Sequence, residues 1–381
     1  MPAGYFAGVW VEELPTSLVP PVRVSNPLVA IGTSQKEVSD IKLIWNFDEY
    51  VENFGHSGDY EKHTLDEVAD VAFKLYKIAP VVFISVGTDA TADGFVDAVI
   101  DALSKLDQIF FLYRYVPGLV VAPKASENPS VAVAMASNTE VVSSLFKTRA
   151  VADIPDSVDP SNVPGYKNDN NLVDDNLILT YPKVVFNDVP YHLSVHYACA
   201  QTRLNAQYEA PYRVASNINV VGIKPTRYLT LEQANYLRGN GILTLLNFIG
   251  GLRFWGDRTS IYPASTDPKD CQIPIRQMND WLRERLVRTY WQFVDQPLSA
   301  RLLKTIRDSV QSDLNGLKGR GLIIDGRIEV VEEENPITDL MDGIIRFHIY
   351  WTPSPATREI DFLVEFDPEG IKEIFAGLTG S

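Results

Sequence analysis

Gly250-Gly251-Leu252-Arg253-Phe254-Trp255-Gly256-Asp257-Arg258-Thr259 opens the stretch whose reading decides the fold, and that stretch runs on to Phe366. Behind it Ile275, Met278, Leu282, Leu286, Tyr290 and Phe293 recur at three- and four-residue steps, so a helix gathers them on one stripe. Proline suits a first helical turn and not an interior one, so Pro297 is expected to end that helix and begin the next. Leu298, Leu302, Ile306, Val310 and Leu314 make the second stripe, with Gly316 as the expected stop. The period then drops to two. Ile328 and Val330 alternate with Arg327 and Glu329; Phe347, Ile349 and Trp351 with Arg346, His348 and Tyr350; Ile360, Phe362, Val364 and Phe366 with Glu359, Asp361 and Glu365. Two helices and three half-buried strands predict a small α+β unit.

Upstream, Gly8-Val9-Trp10-Val11-Glu12-Glu13 reads as a short strand, followed by a proline-bearing segment from Pro15 to Pro27. Such a strand either folds back on its own domain or pairs elsewhere. From Leu28 to about Ile223 strand and helix patterns alternate, which predicts an α/β sheet covered by helices. Val29–Ile31, Val81–Ile84, Leu119–Ala122 and Ala150–Asp153 are the strands. Leu65–Tyr76, Phe95–Leu103 (with Thr91 or Asp93 near its start) and Val131–Phe146 are helices, and Pro155–Asp175 is a long surface loop.

Trp255-Gly256-Asp257-Arg258-Thr259, set before two helices and a strand cluster, resembles the Trp-Gly-x-Arg-Thr motif of contractile tail sheath proteins, the family of bacteriophage tails and R-type bacteriocins. Asp367-Pro368 after the last strand, Leu119-Val120-Val121-Ala122-Pro123, Arg149-Ala150-Val151-Ala152-Asp153 and Tyr181-Pro182 are also similar to family segments, whereas Ala215-Ser216-Asn217 departs from its pattern. The resemblance implies an outer α/β domain inserted between an N-terminal strand arm and a C-terminal α+β sheath domain. The expected division is an arm at 1–27, the outer domain at 28–245, the sheath domain at 246–357 and a strand arm at 358–381. It implies hexameric rings stacked around an inner tube, linked by lent strands (Gly8, Val9, Trp10, Val11 and Glu12 at one end, Ile360, Phe362, Val364 and Phe366 at the other). Contraction would drive the tube into a target envelope. The implied partners are other copies of the chain, the tube protein, and baseplate and tail terminator proteins. The implied location is a virion tail assembled in the bacterial cytoplasm. A sheath of a secretion or toxin-delivery machine is the near alternative, and a soluble α/β enzyme the distant one.

The totals limit other readings. With 381 residues, 45% hydrophobic and 22% charged, the chain has the composition of a globular protein with two or more cores. A net charge of −15 disfavours nucleic acid and anionic membrane surfaces as partners. No apolar run is long enough to span a bilayer, and two cysteines make no disulfide framework, so the chain is expected to stay in the cytoplasm. No glycine-rich phosphate turn follows the first strand, and no Gly-x-Ser-x-Gly elbow occurs, so neither a cofactor nor catalysis is expected. His192, His196 and Cys199 have helical spacing that could suit zinc, yet they read better as two partly exposed histidines and a buried cysteine on an amphipathic helix. The Asp169–Asp175 run fails the calcium-loop pattern and reads as a solvated acidic loop.

Between Ile275 and Arg307 the charge reverses, with seven basic residues (Arg276, Arg283, Arg285, Arg288, Arg301, Lys304, Arg307) against Asp280, Glu284 and Asp295. Trp281, Arg285 and Arg288 lie on one side, away from the apolar stripe, which is the composition of an interface anchor unless a second layer of the same chain covers it. By the family resemblance that face is expected to point at an acidic tube, or else at the acidic part of a neighbouring copy near Glu332-Glu333-Glu334.

Overall fold

Eight strands, all but one drawn from the first 250 residues, assemble into one mixed sheet in the computed structural model, which describes residues 22–371 except 187 and 221. The strand expected at Gly8–Glu13 lies outside the described residues. In chain order the sheet contains β1 (Val22–Gly32), β2 (Lys42–Ile44), β3 (Ile78–Ser85), β4 (Leu119–Val121), β5 (Arg149–Asp153) and β6 (Leu177–Thr180). Three short strands, β7 (Val184–Phe186), β8 (Val189–Tyr191) and β9 (Lys224–Pro225), form a separate sheet. β10 (Ile242–Phe248) and β11 (Gly251–Trp255) then complete the large one. Its order is β11-β10-β6-β5-β4-β1-β3-β2, parallel within and antiparallel at both ends.

Parallel strands with helices on both faces need apolar residues at every position, and these have them. Along β1, Leu28 and Ala30 face one core while Val29 and Ile31 face the other. Along β3, Val81 and Phe83 are split from Val82 and Ile84 in the same way. The first core is closed by a helix, Leu193–Tyr208, buried along most of its length. The second is closed by Phe95–Ala102 and Pro129–Glu140, among others.

Several expectations are corrected here. The helix expected over Val131–Phe146 stops at Glu140, because Val142 and Phe146 pair across a tight turn through Ser143 and Ser144, both at positive φ. The helix at Phe95 starts after Gly94, with no side-chain cap from Thr91 or Asp93. The loop expected at Pro155–Asp175 contains a helix, Val163–Asp169, and is docked rather than solvated: Asp175 pairs with Arg276, and Ser260 Oγ donates to the Asp174 carbonyl at 3.0 Å. The Ile242–Trp255 hairpin belongs to the large sheet, with β10 and β11 paired antiparallel at its edge.

The C-terminal unit packs the helices Ile273–Tyr290 and Ala300–Gly319 on β12 (Ile323–Glu329) and β13 (His348–Pro353), which pair antiparallel. Met278, Leu282, Val310, Leu314 and Ile328 form its core, with Leu286, Tyr290, Ile349 and Trp351 at the margin, as the stripes predict. Pro297 sits in the connection rather than at a helix start. The second helix is capped by Ser299, whose Oγ accepts from Leu302 N at 3.2 Å. Gly316 does not end it either. The stop is Gly321, at φ +72°, where Leu322 N donates to Leu317 O and Gly321 N to Lys318 O, the closing pattern that a left-handed glycine permits. The third strand expected here, Ile360–Phe366, joins no ladder among the described residues.

Candidate assembly interface

The Trp255–Thr259 motif is a structural junction. It turns the chain out of the sheet edge and into the first C-terminal helix. Trp255 Nε1 donates to Asn235 Oδ1 at 2.9 Å, the Arg238 guanidinium lies 4.6 Å from the Trp255 ring centre, and Arg238 Nε donates to Asp257 Oδ1 at 3.1 Å. The Asp257 carbonyl accepts from Ile273 N at 3.1 Å, and Thr259 Oγ1 donates to the Asp270 carbonyl at 3.0 Å. At Gly256 a Cβ would stand 2.8 Å from the Leu243 Cα, so the motif's glycine lets β11 lie against β10.

Charged contacts bind the two units together. Arg149, at the start of β5 and 1% exposed, pairs with Asp280 on the first C-terminal helix and donates to Asn176 Oδ1 at 3.2 Å. Glu284 Oε2 accepts from Asn26 Nδ2 at 2.6 Å. At the other end of β5, Asp153 accepts from Ser194 N at 3.0 Å and from Thr180 Oγ1 at 2.7 Å, placing a carboxylate at the N-terminus of Leu193–Tyr208. Sequence reasoning missed both roles, although the signal was present: a charge at each end of a buried strand. It also missed Lys167, whose Nζ donates to the carbonyls of Asn240 at 2.7 Å, Ser260 at 2.9 Å and Tyr262 at 2.7 Å. Burial pushes its pKa down to about 8.

His192, His196 and Cys199 do not share a site. His192 precedes the helix and places its ring between two carboxylates, Nδ1 2.8 Å from Glu67 and Nε2 3.1 Å from Glu127. Burial opposes its charge, but Glu67 and Glu127 outweigh burial and push its pKa up to about 10. His196 is fully buried between the rings of Tyr76 and Tyr191, with neither ring nitrogen hydrogen-bonded, and burial pushes its pKa down to about 3. The partly exposed histidines and amphipathic helix of the sequence reading are therefore corrected: the helix is buried on nearly all sides up to Thr202. Among the described residues no group of His, Cys, Asp or Glu is placed to hold a metal ion, and no helix is long and apolar enough to cross a membrane.

What remains open on the surface is strand edge and charge. β12 and β13 pair only with each other, so each leaves an outer edge free among the described residues. Past them, Ile360, Phe362, Leu363, Val364 and Phe366 are 68–98% exposed. Trp281 is half-buried against the C-terminal core, with the Arg285 guanidinium 5.5 Å from its ring centre. Arg285 and Arg288 reach solvent but are both paired, Arg285 with Asp313 (2.6 Å from Nε) and Arg288 with Glu284 at 2.9 Å.

With edges of β12 and β13 open among the described residues and apolar side chains exposed at 360–366, the molecule has a fold similar to that of contractile sheath subunits. It superimposes over 97% of its length on the sheath of the extracellular contractile injection system PVC in the contracted state, with a TM-score of 0.72 and 15% identity, covering all of that chain. The contracted helical sheath of the anti-feeding prophage gives 0.70 and 18% identity, over 94% of this chain and 99% of that one. No family model matches. In sequence the chain is 24% identical over 294 residues to the tail sheath protein of Burkholderia phage BcepMu, 72% of this chain and 60% of that protein. It is also 24% identical to a putative prophage major tail sheath protein of Pseudomonas aeruginosa strain UCBPP-PA14, over 79% of this chain and 81% of that protein. The chain thus spans about three fifths of one curated relative and four fifths of the other. In sequence and in fold, then, the chain is similar to contractile tail sheath proteins.

Proposed function

We propose that the chain is the structural subunit of a contractile sheath, polymerising as stacked hexameric rings around an inner tube and contracting to drive that tube through a cell envelope. It does so without covalent chemistry. The observation that carries the reading is the combination of an exposed apolar segment at 360–366 with the unpaired edges of β12 and β13, because backbone pairing between copies satisfies both at once. In this reading 1–27 and 358–381 are arms, 28–245 an outer domain and 246–357 the sheath domain. Gly8, Val9, Trp10, Val11 and Glu12 lend one strand and Ile360, Phe362, Val364 and Phe366 the other. Baseplate and terminator proteins cap the polymer. The likeness to phage proteins in sequence and to injection systems in fold supports either a virion tail or a related delivery machine.

Removing residues 1–14 is expected to leave a folded chain that no longer polymerises. Hollow striated tubes from the truncated protein in electron micrographs would refute the lent strand. We also assign the face of Trp281, Arg285 and Arg288 to the tube. Solvated pairs worth about 0.2–1 kcal/mol each can be exchanged for tube carboxylates and released on contraction. An R285E/R288E variant is expected to form sheath alone yet fail to assemble around tube. Normal assembly around tube, or no lattice at all, would give the face another partner.

A further inference from the structure

Two surface patches of the C-terminal unit are complementary in charge and alike in exposed apolar content. The connection between the two long helices carries Trp291 (64% exposed), Val294 and Leu298, followed on the next helix by Arg301 and Lys304, one turn apart on one face. Asp295 is the acid of that tip. The segment after β12 carries Val330, Ile337 and Met341 (82% exposed) beside Glu332, Glu333 and Asp342. Among the described residues neither the two cations nor these three acids have an ion-pair partner within the chain. Their neighbours do: Arg307 pairs with Asp308, Arg346 with Asp339 and His348 with Glu334. Both patches are exposed in the same molecule, so they do not cover each other.

Resting on the sheath reading above, we propose that the helical tip around Trp291, Leu298, Arg301 and Lys304 docks on the Glu332–Asp342 segment of a second copy of this chain. The apolar side chains give such a contact its buried centre, and the free charges on either side fix its register. Because two different patches meet, the contact runs head to tail. Repeated, it generates a ring or a helix rather than a closed dimer, the arrangement a sheath needs.

Charge exchange tests it. R301E/K304E and E332K/E333K, each checked for native circular dichroism, are each expected to raise the concentration needed for polymerisation by about tenfold or more, the sum of several solvated ion pairs turned repulsive. The fourfold variant carrying both changes is expected to return close to wild type, since the charges again oppose. Leu298→Cys and Ile337→Cys in one chain should cross-link between copies, the native Cys199 and Cys271 being buried. Either pair variant polymerising like wild type, a fourfold variant as poor as its parents, or no 298–337 cross-link in the polymer would overturn the contact alone. An inner-tube partner for the tip would show as a fourfold variant that stays defective only when tube is present. A wild-type chain that never polymerises would remove the sheath reading itself, and this contact with it.

Discussion

At the scale of single residues, His192 and His196 lie one turn apart and pull stability in opposite directions with pH. His196 stays neutral in the folded chain, with its pKa pushed from the ordinary 6.5 to about 3. As pH falls from about 6.5 the unfolded chain takes up a proton that the folded one refuses, and stability drops by up to about 1.4 kcal/mol per pH unit. His196→Phe, which also removes two unbonded ring nitrogens, should flatten that acid limb in urea melts taken between pH 4 and 6.5. His192 is the reverse case. With a folded pKa near 10, its contribution is complete below 6.5 and disappears as pH rises through 10, so His192→Gln should flatten the alkaline limb. Arg149 carries the larger single effect. Arg149→Met strands the Asp280 carboxylate beneath the helix and should cost about 3–5 kcal/mol, most of it recovered in R149M/D280L, where no buried charge is left alone. If the double variant is no better than the single, the loss lies in packing and not in charge.

At the scale of elements, the two glycines that end structure in the C-terminal half make different demands. Gly321→Ala meets no neighbour within 4 Å and carries only the left-handed conformation, about 1–2 kcal/mol. Gly256→Ala also drives a Cβ into the Leu243 backbone and should lose a further ~1–3 kcal/mol, measurable as a lower midpoint for G256A than for G321A. The contrast shows what a sequence can carry. Periodicity placed both C-terminal helices and the parallel strands, because stripes and fully apolar runs leave a signature in any one copy of the chain. It misplaced ends, at Glu140, Ser299 and Gly321, because these were decided by a bridge, a hydroxyl cap and a positive φ. The candidate assembly residues were legible as types but not as circumstances: Asp313, the partner of Arg285, comes from the other long helix and meets it only once the two are packed, whereas Glu284, the partner of Arg288, lies four residues back on the same helix. Ile360–Phe366 has the alternation of a strand and joins no ladder among the described residues, since alternation records which side is apolar and not what lies beside it.

At the scale of the whole molecule, ions and amides tie the sheet unit to the C-terminal unit, through Arg149–Asp280, Arg276–Asp175 and Asn26–Glu284. Lys167 belongs to the same system, although it sits on a two-turn helix inside the loop that separates β5 from β6. Its ammonium gathers backbone from the turn before β10 and from the chain just past the Trp255–Thr259 motif, so three segments far apart in sequence meet on one nitrogen. A basicity lowered to about 8 would make that amine a quick nucleophile if it were open to solvent, but the side chain is almost wholly covered. Acylating reagents at pH 8 should therefore modify exposed lysines such as Lys224 within minutes and leave Lys167 untouched until the three segments separate. Mass spectrometry of that one site then works as a clock for their parting, in the free subunit and in any polymer it forms.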